Sequence, residues 1–361
     1  MTLSIEIATG AGLKPLLGLT DGELSSLFEG LGEPAYRGKQ VADALYKRGA
    51  RDFNQLTNLS KGLRDRLQRE FALGRSEIVT RQQAKDGTVK LLLGLADGQK
   101  VESVALPYEE RYSCCVSTQV GCPVKCAFCA TGLSGYTRNL TAGEIVDQVL
   151  TVQDVARESD PQARVSNVVF MGMGEPLMNY DATLKALHLL NDEVGIGMRH
   201  LTVSTVGYVP GIRRLAKEKL QCTLAISLHA PNDELRRQLI PTMHKWDIKE
   251  LMSACRDYFN ETHRRLTFEY CLLRGVNDQS EHAQELAALL QGMNCHVNLI
   301  PFNPVEALGF KGPKKDRIRA FKQVLEESGV QVTQRVQRGV DIDAACGQLR
   351  RRAESAANKE S

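Results

Sequence analysis

Residues 112–129, YSCCVSTQVGCPVKCAFC, open on a short apolar strand near 114–120 and run into a loop carrying Cys122, Cys126 and Cys129 at spacings of four and three. The chain that follows repeats the strand. Apolar runs near 166–172, 200–206, 222–228, 265–273 and 296–302 are each followed by a segment with apolar residues three and four apart, the helical period. Repeated βα units with right-handed crossovers curl toward a parallel barrel, and six of them make an incomplete one. The expected fold is therefore α/β, an incomplete (β/α)6 TIM-like barrel, with an open doubly wound sheet as the alternative. Both architectures place function just past the C-terminal ends of the strands.

Toward the N-terminus the texture changes. Leu24, Leu27 and Phe28, then Val41, Ala44 and Leu45, then Leu56, Leu59, Leu63 and Leu67 show helical spacing, so residues 1–75 are expected to form a small helical accessory domain. Residues 76–108 alternate in the strand manner and are broken by Asp86-Gly87 and Asp97-Gly98, which are hairpin turn signals; a small antiparallel β extension is expected there. The core is then 109–349, and the basic tail RRRAESAANKES at 350–361 has no periodicity and is expected to be disordered.

The 361 residues hold 46 Lys plus Arg against 43 Asp plus Glu, a net charge of +3, which excludes a strongly basic coat. At 42% apolar and 25% charged, with no apolar run near the roughly twenty residues of a membrane span, the chain is expected to be soluble and not membrane-bound. MTLSIEIATG has neither a signal-peptide nor a transit-peptide pattern, so a cytoplasmic location is expected. Five of the ten cysteines fall between Cys114 and Cys129, a clustering that points to metal or redox chemistry rather than a disulfide scaffold.

Three close thiolates beside Pro123 and Lys125 suit a soft metal centre better than they suit a buried apolar face. A structural zinc site takes a fourth Cys or His at a paired spacing, and none follows within a few dozen residues. Three thiolates on a four-iron cluster leave one iron open to a ligand. The other strand ends carry polar groups as well: Met171-Gly172-Met173-Gly174-Glu175-Pro176, Ser204-Thr205, Ser227-Leu228-His229-Ala230-Pro231 and Asn303-Pro304. Singly, each is an ordinary glycine turn or helix cap. Their recurrence at successive strand ends favours one shared site, with glycines allowing close backbone approach to a ligand and Glu175 accepting hydrogen bonds from an amino group.

The CxxxCxxC spacing after a strand resembles the radical S-adenosylmethionine (SAM) superfamily. That resemblance implies a [4Fe-4S] cluster on Cys122, Cys126 and Cys129, whose open iron chelates the methionyl amine and carboxylate of SAM and whose electron cleaves it to a deoxyadenosyl radical. It implies that Gly174 and Glu175 hold the SAM amino group and that Ser204, Ser227, Leu228, His229 and Asn303 meet its ribose and adenine.

From about residue 20 to 349 the chain further resembles the RlmN/Cfr family of radical SAM RNA methyltransferases: the cluster loop, the SLHAPND segment at 227–233 and the DIDAACGQL terminus at 341–349 appear in order. This family modifies an aromatic carbon of an adenosine in the peptidyl-transferase centre of 23S rRNA. The resemblance implies that Cys346 is methylated by a first SAM, that a second SAM supplies the radical that activates that methyl group, and that Cys115 resolves the protein–RNA adduct through a transient disulfide with Cys346. Glu102 matches the glutamate proposed as proton acceptor. Read without the family, Cys115 and Cys346 would be small buried hydrophobes and Glu102 a surface carboxylate of an edge strand. Cys114 and Cys115 adjoin, but strand alternation sends them to opposite faces. Cys222, Cys255, Cys271 and Cys295 read as core or incidental thiols.

The resemblance also implies 23S rRNA as partner, the adenosine beside the anticodon of certain tRNAs as a second target, and a flavodoxin-type electron donor; a monomer is expected. Candidate phosphate contacts are Arg37, Lys39, Lys47, Arg48 and Arg51 in the helical part, which the family uses for RNA, and Lys311, Lys314, Lys315, Arg317 and Arg319; a solvated helix face explains either set equally. Pro176 resembles the C2-methylating branch, since the C8 branch tends to carry Ala there. C8 methylation and a non-catalytic iron–sulfur RNA-binding factor are the alternatives.

Overall fold

The structure is a computed structural model, which describes residues 12–109, 111–133, 135–243, 245–303, 308–336, 338–339 and 342. Its main sheet contains β1 (Glu77–Gln83), β2 (Val89–Gly94), β3 (Lys100–Tyr108), β4 (Arg111–Cys115), β5 (Val165–Phe170), β6 (Leu201–Thr205), β7 (Thr223–Ser227), β8 (Leu266–Leu272), β9 (Cys295–Pro301) and β10 (Gln331–Gln334). The strands lie side by side in chain order. From β4 to β10 every neighbour is parallel, while β1 to β4 pair antiparallel.

Parallel neighbours need crossovers, and helices Ala142–Ser159, Tyr180–His188, Val209–Lys217, Ile248–Thr262, Ser280–Leu290 and Lys315–Glu327 provide them. β1 and β10 are the free edges, so the barrel is incomplete, as the βα count implies. Period-two alternation sets the two faces. In β8, Leu266, Phe268, Tyr270 and Leu272 are fully buried in the helix-covered core, while Glu269 and Cys271 point the other way, into the concave side. Asp86-Gly87 and Asp97-Gly98 do close hairpins: Gly87 and Gly98 have φ of 81° and 79°, and the Asp carboxylates accept from the Thr88 and Gln99 amides.

The structure departs from the sequence reading in three places. A seventh parallel strand, β10, closes the far side; with Val332 its one buried residue among exposed neighbours, Gln331–Gln334 carries no apolar alternation to reveal it. The antiparallel β extension does not stand apart but continues the barrel sheet, Val104 of β3 lying opposite Cys115 of β4. The first barrel strand ends at Cys115 rather than near residue 120. Beyond it Val116 still bonds to Val169 and Gly172 of the neighbouring segment, and Gln119–Gly121 then pairs with Tyr136–Asn139 instead. The tail at 350–361 lies outside the described residues.

A buried ion network ties the helical N-terminal part to the core. Arg75 Nε lies 2.5 Å from Asp147 Oδ1 on helix Ala142–Ser159, Asp147 Oδ2 accepts the Ser76 amide at 2.8 Å, and Asp154 bridges Arg75 and Arg51. Asp147 is wholly buried and the Arg75 side chain nearly so. Asp147→Ala leaves Arg75 Nε–H and the Ser76 amide without an acceptor while Asp154 keeps the rest of the guanidinium paired, and is expected to destabilise the protein by about 1–3 kcal/mol, read from urea unfolding at constant m.

Candidate active site

A cavity of about 550 Å³ opens on the concave side of the sheet, at the C-terminal ends of the parallel strands. Of the residues singled out from the sequence, Glu102, Cys115, Cys122, Cys126, Cys129, Gly174, Glu175, Ser204, Ser227, His229 and Asn303 all line it. The Leu228 side chain does not: it is fully buried on the core side, and its amide donates to the Glu269 carbonyl of the neighbouring strand. Alternation past β7 turns Ser227 inward and Leu228 outward. Cys346 lies outside the described residues.

The cluster loop is shaped by its backbone. Gly121, at φ 79°, has a hypothetical Cβ 2.0 Å from the Gly135 carbonyl, so only glycine turns the chain there. Cys122 N donates to that same carbonyl, Cys129 N to Cys126 O, and Ala127 N to Leu239 O. Burial pushes the Cys122 thiol up to about 12, and burial with the neighbouring thiols pushes Cys126 well above its usual value. Three thiolates gathered there therefore need a cation to share, which is what an iron–sulfur centre provides. Cys122, Cys126 and Cys129 all line the same cavity, so three soft sulfur donors are available there to an iron–sulfur cluster.

The Gly-rich loop after β5 is stitched to the segment after β4. Met173 N donates to Ser117 Oγ at 2.9 Å, Ser117 Oγ donates to the Glu102 carbonyl, and Glu175 N donates to Gln119 Oε1. A Cβ on Gly172 would lie 2.7 Å from Val116 O, and one on Gly174 2.7 Å from Gln119 Cβ. These glycines serve loop-to-loop contact as well as any approach to a ligand. Glu175 is 1% exposed; one oxygen accepts the Leu177 amide at 3.0 Å, the other the Val206 amide at 2.8 Å, and burial lifts its carboxyl to about 7.

Across the cavity Ser204 and Ser227 hydroxyls sit 3.4 Å apart. His229, held at φ 58°, accepts the Cys271 amide on Nδ1 and packs edge-on against Phe128 of the cluster loop. Burial and the nearby Arg236 guanidinium drive its pKa down to about 3, so the ring is neutral. On β4, Cys114 turns to the helix side against Ser103 Oγ, and Cys115 faces the cavity. The nine described cysteines are free thiols.

Among the cavity residues that the sequence does not single out are Lys90, Glu269, Cys271, Arg335 and Arg338. The first two had a readable signal, a lone charge inside the apolar runs VKLLLG and LTFEYCL. Cys271, read from the sequence as a core or incidental thiol, is buried as expected and also borders the cavity, since which face of β8 it occupies depends on the sheet. Of the basic candidates, Arg51 is spent on Asp154 and Thr151, and Lys47 pairs with Asp43.

The radical SAM superfamily model matches residues 116–287, and the model of the ribosomal RNA large subunit methyltransferase N-terminal domain matches 14–73. A probable dual-specificity RNA methyltransferase RlmN of Gloeobacter violaceus is 52% identical over 94% of this chain and 96% of its own, and the one of Trichormus variabilis is 53% identical over 93% of each. The chain belongs to the RlmN family. A radical SAM methyltransferase from Sphaerobacter thermophilus has the same fold, with a TM-score of 0.89 at 48% identity over 93% of this chain and 98% of that one. RlmN-family membership within the radical SAM superfamily implies a [4Fe-4S] cluster and SAM, which agrees with the donor set above. No helix among the described residues is long and apolar enough to cross a membrane.

Proposed function

We propose that this chain is a dual-specificity RNA methyltransferase that methylates C2 of an adenosine in the peptidyl-transferase centre of 23S rRNA and of the adenosine beside the anticodon in certain tRNAs. One observation carries the reading: the three-thiol loop, Glu175, Cys115 and Glu102 open into a single cavity. An amidine carbon is electron-poor and offers the SAM methyl cation nothing to bond with, so radical chemistry is required.

A cluster on Cys122, Cys126 and Cys129 supplies the electron that splits SAM, and SAM supplies both a methyl group and a hydrogen-abstracting radical. Glu175 accepts the N–H groups of the SAM amino end, held in place by the Leu177 and Val206 amides. Ser204, Ser227 and Asn303 offer hydroxyl and amide groups to the nucleoside, and the neutral His229 buttresses Phe128 of the cluster loop. Cys346 carries the methyl group to the base. Glu102 takes the proton from the substituted carbon, and the Cys115 thiolate attacks the Cys346 sulfur, forming a disulfide as the sulfur–carbon bond breaks; the bonding pair stays with the carbon and the adenine ring, and that carbon takes up a proton to become the methyl group. The enzyme acts as a cytoplasmic monomer, takes electrons from a flavodoxin-type donor, and consumes two SAM per methyl transferred.

Anaerobically reconstituted protein with dithionite, SAM and a 23S rRNA fragment is expected to yield deoxyadenosine, a methyl group on Cys346 and 2-methyladenosine. Methylation at C8 would move it to the other branch. Bound metal with no deoxyadenosine would make it a non-catalytic RNA-binding factor.

A further inference from the structure

Lys90 on β2 is 1% exposed, and its ammonium lies 3.5 Å from Glu102 Oε1 on β3. A lysine is almost never buried this deeply without a reason. Its strand neighbours Val89, Leu91 and Leu93 pack into the helix-side core on the other face, and a buried ion pair is by itself weak evidence of a purely stabilising role.

Register shows what the lysine faces. Lys90 lies opposite Val104, and Val104 lies opposite Cys115, so the three form one row across β2, β3 and β4 on the cavity face. Glu102 stands two residues along β3 from that row, on the same face. Cys115 feels both charges, along with Arg335 from the far side of the cavity. The pair is thus aimed at the thiol that resolves the adduct, and no step described above uses Lys90.

We propose that Lys90 is a positioning residue for the release step: its ammonium supplies the counter-charge that the buried Glu102 carboxylate needs and fixes that carboxylate beside Cys115, where it meets the proton of the substituted adenine carbon. This rests on the reading of Glu102 as proton acceptor. Without Lys90 the carboxylate loses its counter-charge at 3.5 Å, and misplacement of a catalytic group by about 1 Å costs on the order of 10²-fold in rate.

The test follows the reaction in stages with reconstituted full-length protein and the rRNA fragment. Lys90→Met is expected to keep the wild-type iron content, SAM cleavage and methylation of Cys346. It should form the covalent protein–RNA adduct at the normal rate and release methylated RNA about 10²-fold more slowly, so that the adduct band persists on denaturing gels. Glu102→Gln should accumulate the same band, and Lys90→Arg should recover most of the release rate. Lys90→Gln, which keeps length and polarity without charge, stands in if the methionine variant does not fold. Wild-type release by Lys90→Met, or failure before the adduct with no rescue by Lys90→Arg, overturns the role. If Glu102→Gln releases RNA normally, the assignment of Glu102 falls and this inference with it; if Glu102→Gln traps the adduct and Lys90→Met does not, only this inference falls.

Discussion

Glu175→Gln is expected to weaken SAM binding by about 10²-fold or more and to flatten its dependence on pH. The carboxyl is held by two backbone amides, one from the turn after β5 and one from the end of β6, and by the Thr205 hydroxyl, which leaves about one of its four lone-pair sites for a ligand. Burial raises its pKa from 4.5 to about 7. For an acid raised in this way the folded protein prefers the protonated form. The contribution to stability is undiminished below the unfolded value near 4.5 and is lost as pH climbs through about 7, a total of roughly 3 kcal/mol in the ligand-free protein.

A ligand amino group donating hydrogen bonds to the carboxylate offsets that loss. Binding should therefore tighten as pH rises toward about 7 and level off above it. Glutamine fills the same space but turns an amide NH2 toward a backbone N–H, at a cost of about 1–3 kcal/mol, and has no proton to lose. Calorimetric titration of SAM into cluster-loaded wild type and variant across this pH range checks both claims. Equal affinities, or equal slopes with pH, would remove Glu175 from the ligand.

Cys115→Ser is expected to stop the enzyme before a first turnover, with RNA covalently attached to the protein. A hydroxyl in place of the thiol leaves the cavity and its packing nearly unchanged. It cannot displace the Cys346 sulfur from carbon, since only a thiolate exchanges with sulfur to give a disulfide. Cys115 is set for this task by register: β4 turns Cys114 into the helix-packed core beside Ser103 and leaves Cys115 on the cavity side with Glu102. Denaturing gels with labelled RNA, followed by peptide mapping of the crosslink, read the result. Normal turnover by Cys115→Ser would sink the assignment, and Cys114→Ser is the control, expected to turn over without accumulating the adduct.

Much of this was legible before any coordinates. Six strands announced themselves because each is a short apolar run bounded by turns, and the three-thiol loop because metal ligands gathered in one loop sit close in sequence. β10 was not legible, because a strand at the sheet edge buries one side chain and needs no alternation. The SLHAPND segment was legible as facing a ligand, but not that Ser227 and His229 line the cavity while the Leu228 side chain packs into the core, because a segment of sequence does not say which of its side chains point inward. Gly172 and Gly174 were legible as points of close approach, but not that the neighbour is the Val116–Gln119 backbone and side chain.

What the amino-acid sequence determined by itself is everything that depends on neighbours a few residues apart: helix period, strand alternation, hairpin turns at Asp-Gly, and the spacing of Cys122, Cys126 and Cys129. Only the tertiary structure decided that β1–β3 extend the barrel sheet, and hence that Lys90 and Glu102 look into the same cavity as Cys115 and Glu175. The reason is register. A shift of one residue between strands far apart in the chain sends every side chain to the opposite face, and that choice is made by packing of the whole sheet against its helices rather than by any local run of residues.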